Sequence, residues 1–137
     1  MMPVMRYDDR GQCVAPGKEF PRKSILLVDS EEPHRTILSS MLEEDGYRVA
    51  SCGTLFDAVV VFQIENFDFV ICEHSTSGVD GLHLLKVIKQ HNDKTPVLLI
   101  SALYEMEPYL VAMNLGALDY LNKPVDYLEI QRLVRFH

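Results

Sequence analysis

The sequence has no apolar stretch approaching the roughly 20 residues needed to cross a bilayer, so no membrane span is expected. Its opening, Met1 to Asp9, lacks the charged-then-apolar pattern of a secretory leader. Basic residues are in deficit: 13 Lys and Arg stand against 20 Asp and Glu, a net charge of -7. A surface that holds phosphate backbones or anionic lipid needs the opposite balance, which argues against nucleic acid or membrane as a direct partner. Cysteine is scarce and scattered at Cys13, Cys52 and Cys72, with no CxxC pair. That fits neither a disulfide framework nor a thiolate metal site, and a reducing cytoplasm is the expected setting. A dinucleotide turn is missing too, because Asp29-Ser30-Glu31-Glu32-Pro33 stands where G-x-G-x-x-G would be needed. Of the histidines, His34, His83, His91 and His137 show no metal spacing with acids or cysteines, and His74 reads as a solvent-facing loop residue.

What is present is a rhythm. With 47% apolar residues in 137, the chain can bury one real core. Residues 1–22, with Pro3, Pro16, Pro21, Gly11 and Gly17, read as a flexible arm. The alternative there is a hairpin, Val4–Tyr7 against Gln12–Ala15 across Asp8-Asp9-Arg10-Gly11. From Lys23 to His137, short apolar runs alternate with helical patterns. The strands are expected at 24–29, 47–51, 67–73, 95–101 and 119–123. Ile37, Leu38, Met41 and Leu42 form the expected inner stripe of the first helix, and Leu55, Ala58, Val59 and Phe62 that of the second. Leu84, Leu85 and Ile88 serve the third helix, and Ile130, Leu133 and Val134 the last. Five strands alternating with five helices predict an α/β fold, a doubly wound five-stranded parallel sheet of flavodoxin-like (βα)5 type.

Four of these strands end in polar residues: Asp29, Glu73, Ser101 and Lys123. In a parallel sheet the carboxyl ends share one edge, so these side chains can converge. A carboxylate, a hydroxyl and a lysine around one pocket can hold a phosphoryl group, with magnesium as the usual complement.

Those residues, in the runs Ile25-Leu26-Leu27-Val28-Asp29, Phe69-Val70-Ile71-Cys72-Glu73, Val79-Asp80-Gly81-Leu82, Pro96 to Ala102 and Gly116 to Pro124, resemble the receiver domain of bacterial two-component response regulators. The resemblance covers 23–137. It implies a phosphoacceptor at position 73 and an acidic, metal-holding pocket at positions 29, 30 and 75, weak in this chain because Ser30 and Ser75 are not acids. It also implies switch and phosphate-binding roles for Ser101, Tyr120 and Lys123, and a cis peptide bond before Pro124. A histidine kinase, an effector domain or a second copy, meeting the face of the fourth helix, fifth strand and fifth helix, are the implied partners.

The chain departs from the pattern at two chemical positions. Glu73 replaces the acceptor aspartate, and Ser30 replaces the second acid; Ser77 also replaces a loop proline. Glutamate carries its carboxylate about 1.5 Å farther from the backbone, and about 1 Å of misplacement can cost on the order of a hundredfold in rate. No cofactor is expected, and magnesium should bind weakly. Glu73 either imitates the phosphorylated state or pairs with Lys123 to fix an inactive shape; both readings stay open. The enzyme alternative is a small haloacid-dehalogenase-like phosphatase, from the order Asp29-Ser30-Glu31, Ser101, Lys123. It lacks the second aspartate, a later acidic pair and room for a cap. The expectation is a signalling module rather than an enzyme. Candidate partner surfaces are Leu103, Tyr104, Met106 and Tyr109 of the fourth helix region, and Phe56 and Val60, continued by Ile64, on the second helix.

Overall fold

A computed structural model of the chain describes residues 6–7, 9–11, 13–14, 22–102 and 105–137. Arg6–Tyr7 (β1) and Cys13–Val14 (β2) pair antiparallel. This is the hairpin alternative with a shifted register: Tyr7 stands opposite Cys13, not Gln12, and Gly11 adopts φ 78° in the connection.

The remaining strands are β3 (Ser24–Val28), β4 (Arg48–Cys52), β5 (Phe69–Glu73), β6 (Val97–Ser101) and β7 (Asp119–Asn122). They form one parallel sheet in the order β4-β3-β5-β6-β7. The helices are α1 (Glu32–Glu44), α2 (Leu55–Ile64), α3 (Gly81–His91), α4 (Met106–Asn114) and α5 (Tyr127–Phe136). The expected flavodoxin-like (βα)5 fold is the observed one, with strand boundaries within two residues of the expected ones.

Period-two alternation divides each buried strand between two cores. Leu26, Val28, Val70, Cys72, Val97 and Leu99 face α2, α3 and α4 through Ala58, Leu84 and Ala112. Ile25, Leu27, Phe69, Ile71, Leu98 and Ile100 face α1 and α5 through Leu38, Leu42, Ile130 and Val134. Helix starts are set locally: Thr54 Oγ1 accepts the Asp57 N–H at 3.1 Å, and Asp80 Oδ1 accepts that of His83 at 3.1 Å. Asp126 caps α5 through the Leu128 N–H at 3.0 Å.

One helix face differs from expectation. Ile37 is 61% exposed and Met41 40%, while Leu38 and Leu42 are buried. A helix on one sheet face needs only an i, i+4 pair where it crosses its strand, so the inward stripe of α1 is narrower than its apolar content. The second-helix pattern is as expected, with Ala58 and Phe62 buried and Phe56, Val60 and Ile64 exposed. No helix among the described residues is long and apolar enough to cross a membrane.

Candidate functional site

The strand order reverses direction around β3 and β5, and the crevice beyond their carboxyl ends is where an open α/β sheet places its site. Asp29 follows β3 there and Glu73 ends β5; both are buried polar residues, as is Ser101 at the end of β6. Lys123 follows β7, and its backbone N–H donates to the Ser101 carbonyl at 2.8 Å, which ties the ends of β6 and β7 together. The Lys123–Pro124 bond is cis, as the resemblance implied.

Lys123 Nζ is the centre of the pocket. It donates to Glu31 Oε1 at 2.8 Å and to Glu73 Oε1 at 3.1 Å, and lies 3.1 Å from Asp29 Oδ2. The other Glu73 oxygen, Oε2, accepts the Ser30 N–H at 2.9 Å and the Ser30 hydroxyl at 2.7 Å. Burial works to raise the Glu73 carboxyl, but the two Ser30 bonds and the Lys123 ammonium outweigh it and hold the group below its ordinary value. Burial likewise works against the Lys123 charge, and bonds from Glu31, Asp29 and Glu73 overcome it, raising the ammonium above its ordinary value.

The loop after β5 closes tightly over this network. Gly78 N–H donates to Ser75 Oγ at 2.6 Å, and Ser75 N–H donates to the Val79 carbonyl at 2.9 Å. A Cβ at Gly78 would fall 2.8 Å from Ser75 Oγ and 3.0 Å from Glu73 Oε2, and closer still to Ser30 Oγ. Bare backbone at Gly78 is therefore what lets the loop lie on the carboxylate. Ser75 spends its hydroxyl within the loop.

Glu31 joins the pocket although the sequence pattern did not single it out. It is exposed along most of its length, yet its carboxylate turns inward, and one oxygen from each of Asp29, Glu31 and Glu73 lies within 4.8 Å of the others. Glu31 N–H donates to Asp29 Oδ1 at 2.8 Å, an Asx-type turn that sets the direction of the residue. His34 was passed over, and its Nδ1 hydrogen-bonds Asp29 Oδ2. His74 is half-buried with its Nδ1 3.7 Å from Asp80 Oδ1, so it is not the solvent-facing residue expected from the loop composition. Of the partner-surface residues, Met106 is 57% exposed, and Leu103 and Tyr104 lie outside the described residues. Tyr109 instead packs edge-on against the buried Tyr120, ring centroids 6.1 Å apart. Leu110, Val111 and Met113 add exposed apolar surface to α4 that the sequence pattern had not singled out.

A doubly wound sheet with an acid-and-lysine pocket at its carboxyl edge is the architecture of receiver modules. A CheY-like receiver domain protein from Methanospirillum hungatei superposes with a TM-score of 0.80 at 21% identity, over 84% of this chain and 92% of that one, which shows the shared fold. Residues 25–135 match the response regulator receiver domain, and the chain belongs to that family. The transcriptional regulatory protein ZraR of Klebsiella oxytoca is 38% identical over 107 residues, 78% of this chain and 24% of the relative. The regulatory protein AtoC of Escherichia coli is 32% identical over 111 residues, 81% and 24% respectively. The HemR receiver domain of Leptospira biflexa is similar at 28% identity and a TM-score of 0.74, covering 83% of this chain and 90% of that one. The chain thus spans about a quarter of the length of these two curated regulators.

Proposed function

We propose that this receiver domain of two-component signalling acts through protein contacts without ordinary phosphorylation, with residues 1–22 as an arm and 23–137 as the receiver unit. One observation carries the reading: both oxygens of the Glu73 carboxylate are already engaged, Oε1 by Lys123 and Oε2 twice by Ser30. A nucleophile must present a lone pair to phosphorus in a near-attack position of about 3–3.5 Å. For Glu73, turning the carboxylate toward phosphorus strains or breaks these charge-assisted bonds, worth about 1–3 kcal/mol each, before any chemistry. Lys123, which the family uses to take up phosphoryl charge, is itself held among Glu31, Asp29 and Glu73. The ion pair supports the fixed-state reading of Glu73, in which one arrangement persists with or without a kinase.

Carboxylates are the right donors for magnesium, and Asp29, Glu31 and Glu73 are the residues that would hold it. When bound, the ion would neutralise charge on phosphoryl oxygens. The Lys123 ammonium among the same oxygens competes with it, in keeping with weak binding. Glu31 also favours a second reading, a conventional phosphorelay receiver with residual transfer, because it restores a third carboxylate to the pocket. Family membership supports reading Asp29, Ser101 and Lys123 as a signalling pocket rather than as the phosphatase order.

The partner surface we assign is α4 with β7 and α5, where Met106 and Leu110 are exposed and Tyr109 connects to Tyr120. A histidine kinase, an effector domain or a second copy would meet it there. Amide NMR spectra recorded before and after acetyl phosphate with magnesium test the proposal. The signals of Ser101, Tyr120 and Lys123 should stay in place; a second set of peaks would favour residual transfer.

A further inference from the structure

Asp29 carries more bonds than any simple ion pair requires. Its Oδ1 accepts the Glu31 N–H at 2.8 Å and a longer contact from Lys123 Nζ at 3.3 Å. Its Oδ2 takes Lys123 Nζ at 3.1 Å and His34 Nδ1. Its backbone carbonyl accepts Arg35 Nη1 at 2.7 Å. Pro33 stands at the start of α1, so His34 and Arg35 fall in its first turn and both reach back to the residue that follows β3. Gly53 gives the guanidinium its seat, since a Cβ there would lie 2.9 Å from Arg35 Nη1. The other His34 ring nitrogen, Nε2, is buried without a hydrogen-bond partner, so the bond to Asp29 is the polar anchor of the ring among the described residues.

Magnesium approaches carboxylate oxygens to about 2.0–2.1 Å in a near-octahedral shell. Each Asp29 oxygen already faces two donors from this chain. We infer that His34 is a positioning residue for Asp29 that keeps a divalent cation out of the acidic pocket. It holds Oδ2 toward α1, and with Lys123 it supplies the donors a cation would replace. Weak metal binding then has a cause beyond the missing acid at Ser30, and removing the imidazole opens a coordination position while Ser30 stays in place. This deepens the proposed reading of the pocket and rests on it.

Calorimetric titration of the full chain with magnesium chloride tests the inference on the unaltered protein, His34→Leu and His34→Gln. Leucine fills much of the ring's space without a donor, and glutamine keeps an N–H to offer Asp29. The unaltered protein and His34→Gln should bind equally weakly, and His34→Leu about tenfold more tightly, the size of effect that partners of metal ligands have, here with the opposite sign because His34 holds Asp29 away from the ion. Equal affinity in all three proteins, or an equal gain in both variants, overturns it. Should His34→Leu fail to fold, manganese broadening of the Glu31 and Glu73 amide signals in His34→Ala, which lacks a side-chain donor, gives the answer. Greater broadening than in the unaltered protein supports the inference, and unchanged broadening overturns it. Failure here leaves the phosphorylation reading standing, because that is read from covalent mass at Glu73 and not from metal affinity.

Discussion

Ser30 donates twice to Glu73, from its backbone N–H at 2.9 Å and its hydroxyl at 2.7 Å. The two acidic positions at which this chain departs from the receiver pattern are therefore bonded to each other. An aspartate at 30 would set a second carboxylate against Oε2, where the present serine offers a donor. The departures are a matched pair in chemical terms, and the longer glutamate is what reaches across to Ser30.

Ser30→Ala removes the hydroxyl half of that pair and leaves the backbone half. The loss should be about 1 kcal/mol, less than a fully buried bond to a charged group, because Ser30 is exposed and water can replace it. The Glu73 carboxyl should move upward, since one of the causes holding it down has gone. Urea midpoints and a carbon-detected NMR titration of Glu73 check the two effects.

Lys123→Met leaves the Asp29 and Glu73 carboxylates buried without their ammonium. Breaking a buried pair in this way costs about 3–5 kcal/mol, and the melting temperature should fall accordingly. The pH dependence follows from the two shifts. Glu73 is lowered on folding, so its contribution is complete above the ordinary value of 4.5 and is lost as pH falls through the folded value. Lys123 is raised, so its contribution is complete below 10.5 and is lost as pH rises through the folded value. Denaturation measured across pH should show both edges in the unaltered protein, and the alkaline edge should weaken in Lys123→Met.

Gly78→Ala tests the closed loop. The new methyl meets Ser30 Oγ, Ser75 Oγ and Glu73 Oε2 together, so the loop must lift. Overpacking of this kind costs about 1–3 kcal/mol. Amide exchange should quicken at Ser75 and Gly78, while the α1 and α5 core signals keep their protection.

The sheet and its polar edge were legible because both follow from local periodicity. Buried runs at 25–28, 69–72 and 97–100 specify strands wherever they sit, and parallel strands deliver Asp29, Glu73, Ser101 and Lys123 to one edge. What lay out of reach depends on turn geometry. Whether Glu31 points inward is decided by a bond to Asp29 across a single residue, and His34 by where Pro33 starts α1. His74 looked solvated because its neighbours Ser75, Thr76 and Ser77 are polar, yet the close approach of Gly81 to the Glu73 backbone folds that loop inward. Apolar content overstated the inner face of α1 at Ile37 and Met41, which only the crossing of helix and strand can settle.

Two helix faces, on α4 and on α2, carry exposed apolar residues. Met106→Glu with Leu110→Glu alters the exposed face of α4, and Phe56→Glu with Ile64→Glu that of α2. Tyr109 is unsuitable as a probe because its ring packs on Tyr120. Light scattering of the two double variants should show any self-association weakened by the α4 pair alone. Weakening by the α2 pair alone would move the partner surface to that helix.

The central claim concerns the carboxylate of Glu73, and intact-mass spectrometry after incubation with acetyl phosphate and magnesium tests it most directly. With Lys123 and Ser30 holding both oxygens, the protein should keep its mass. The variant Ser30→Asp with Glu73→Asp, which restores both acids of the family pattern, should gain one phosphoryl group under the same conditions. A phosphoryl gain by a substantial fraction of the unaltered protein, mapped to Glu73, would contradict the claim.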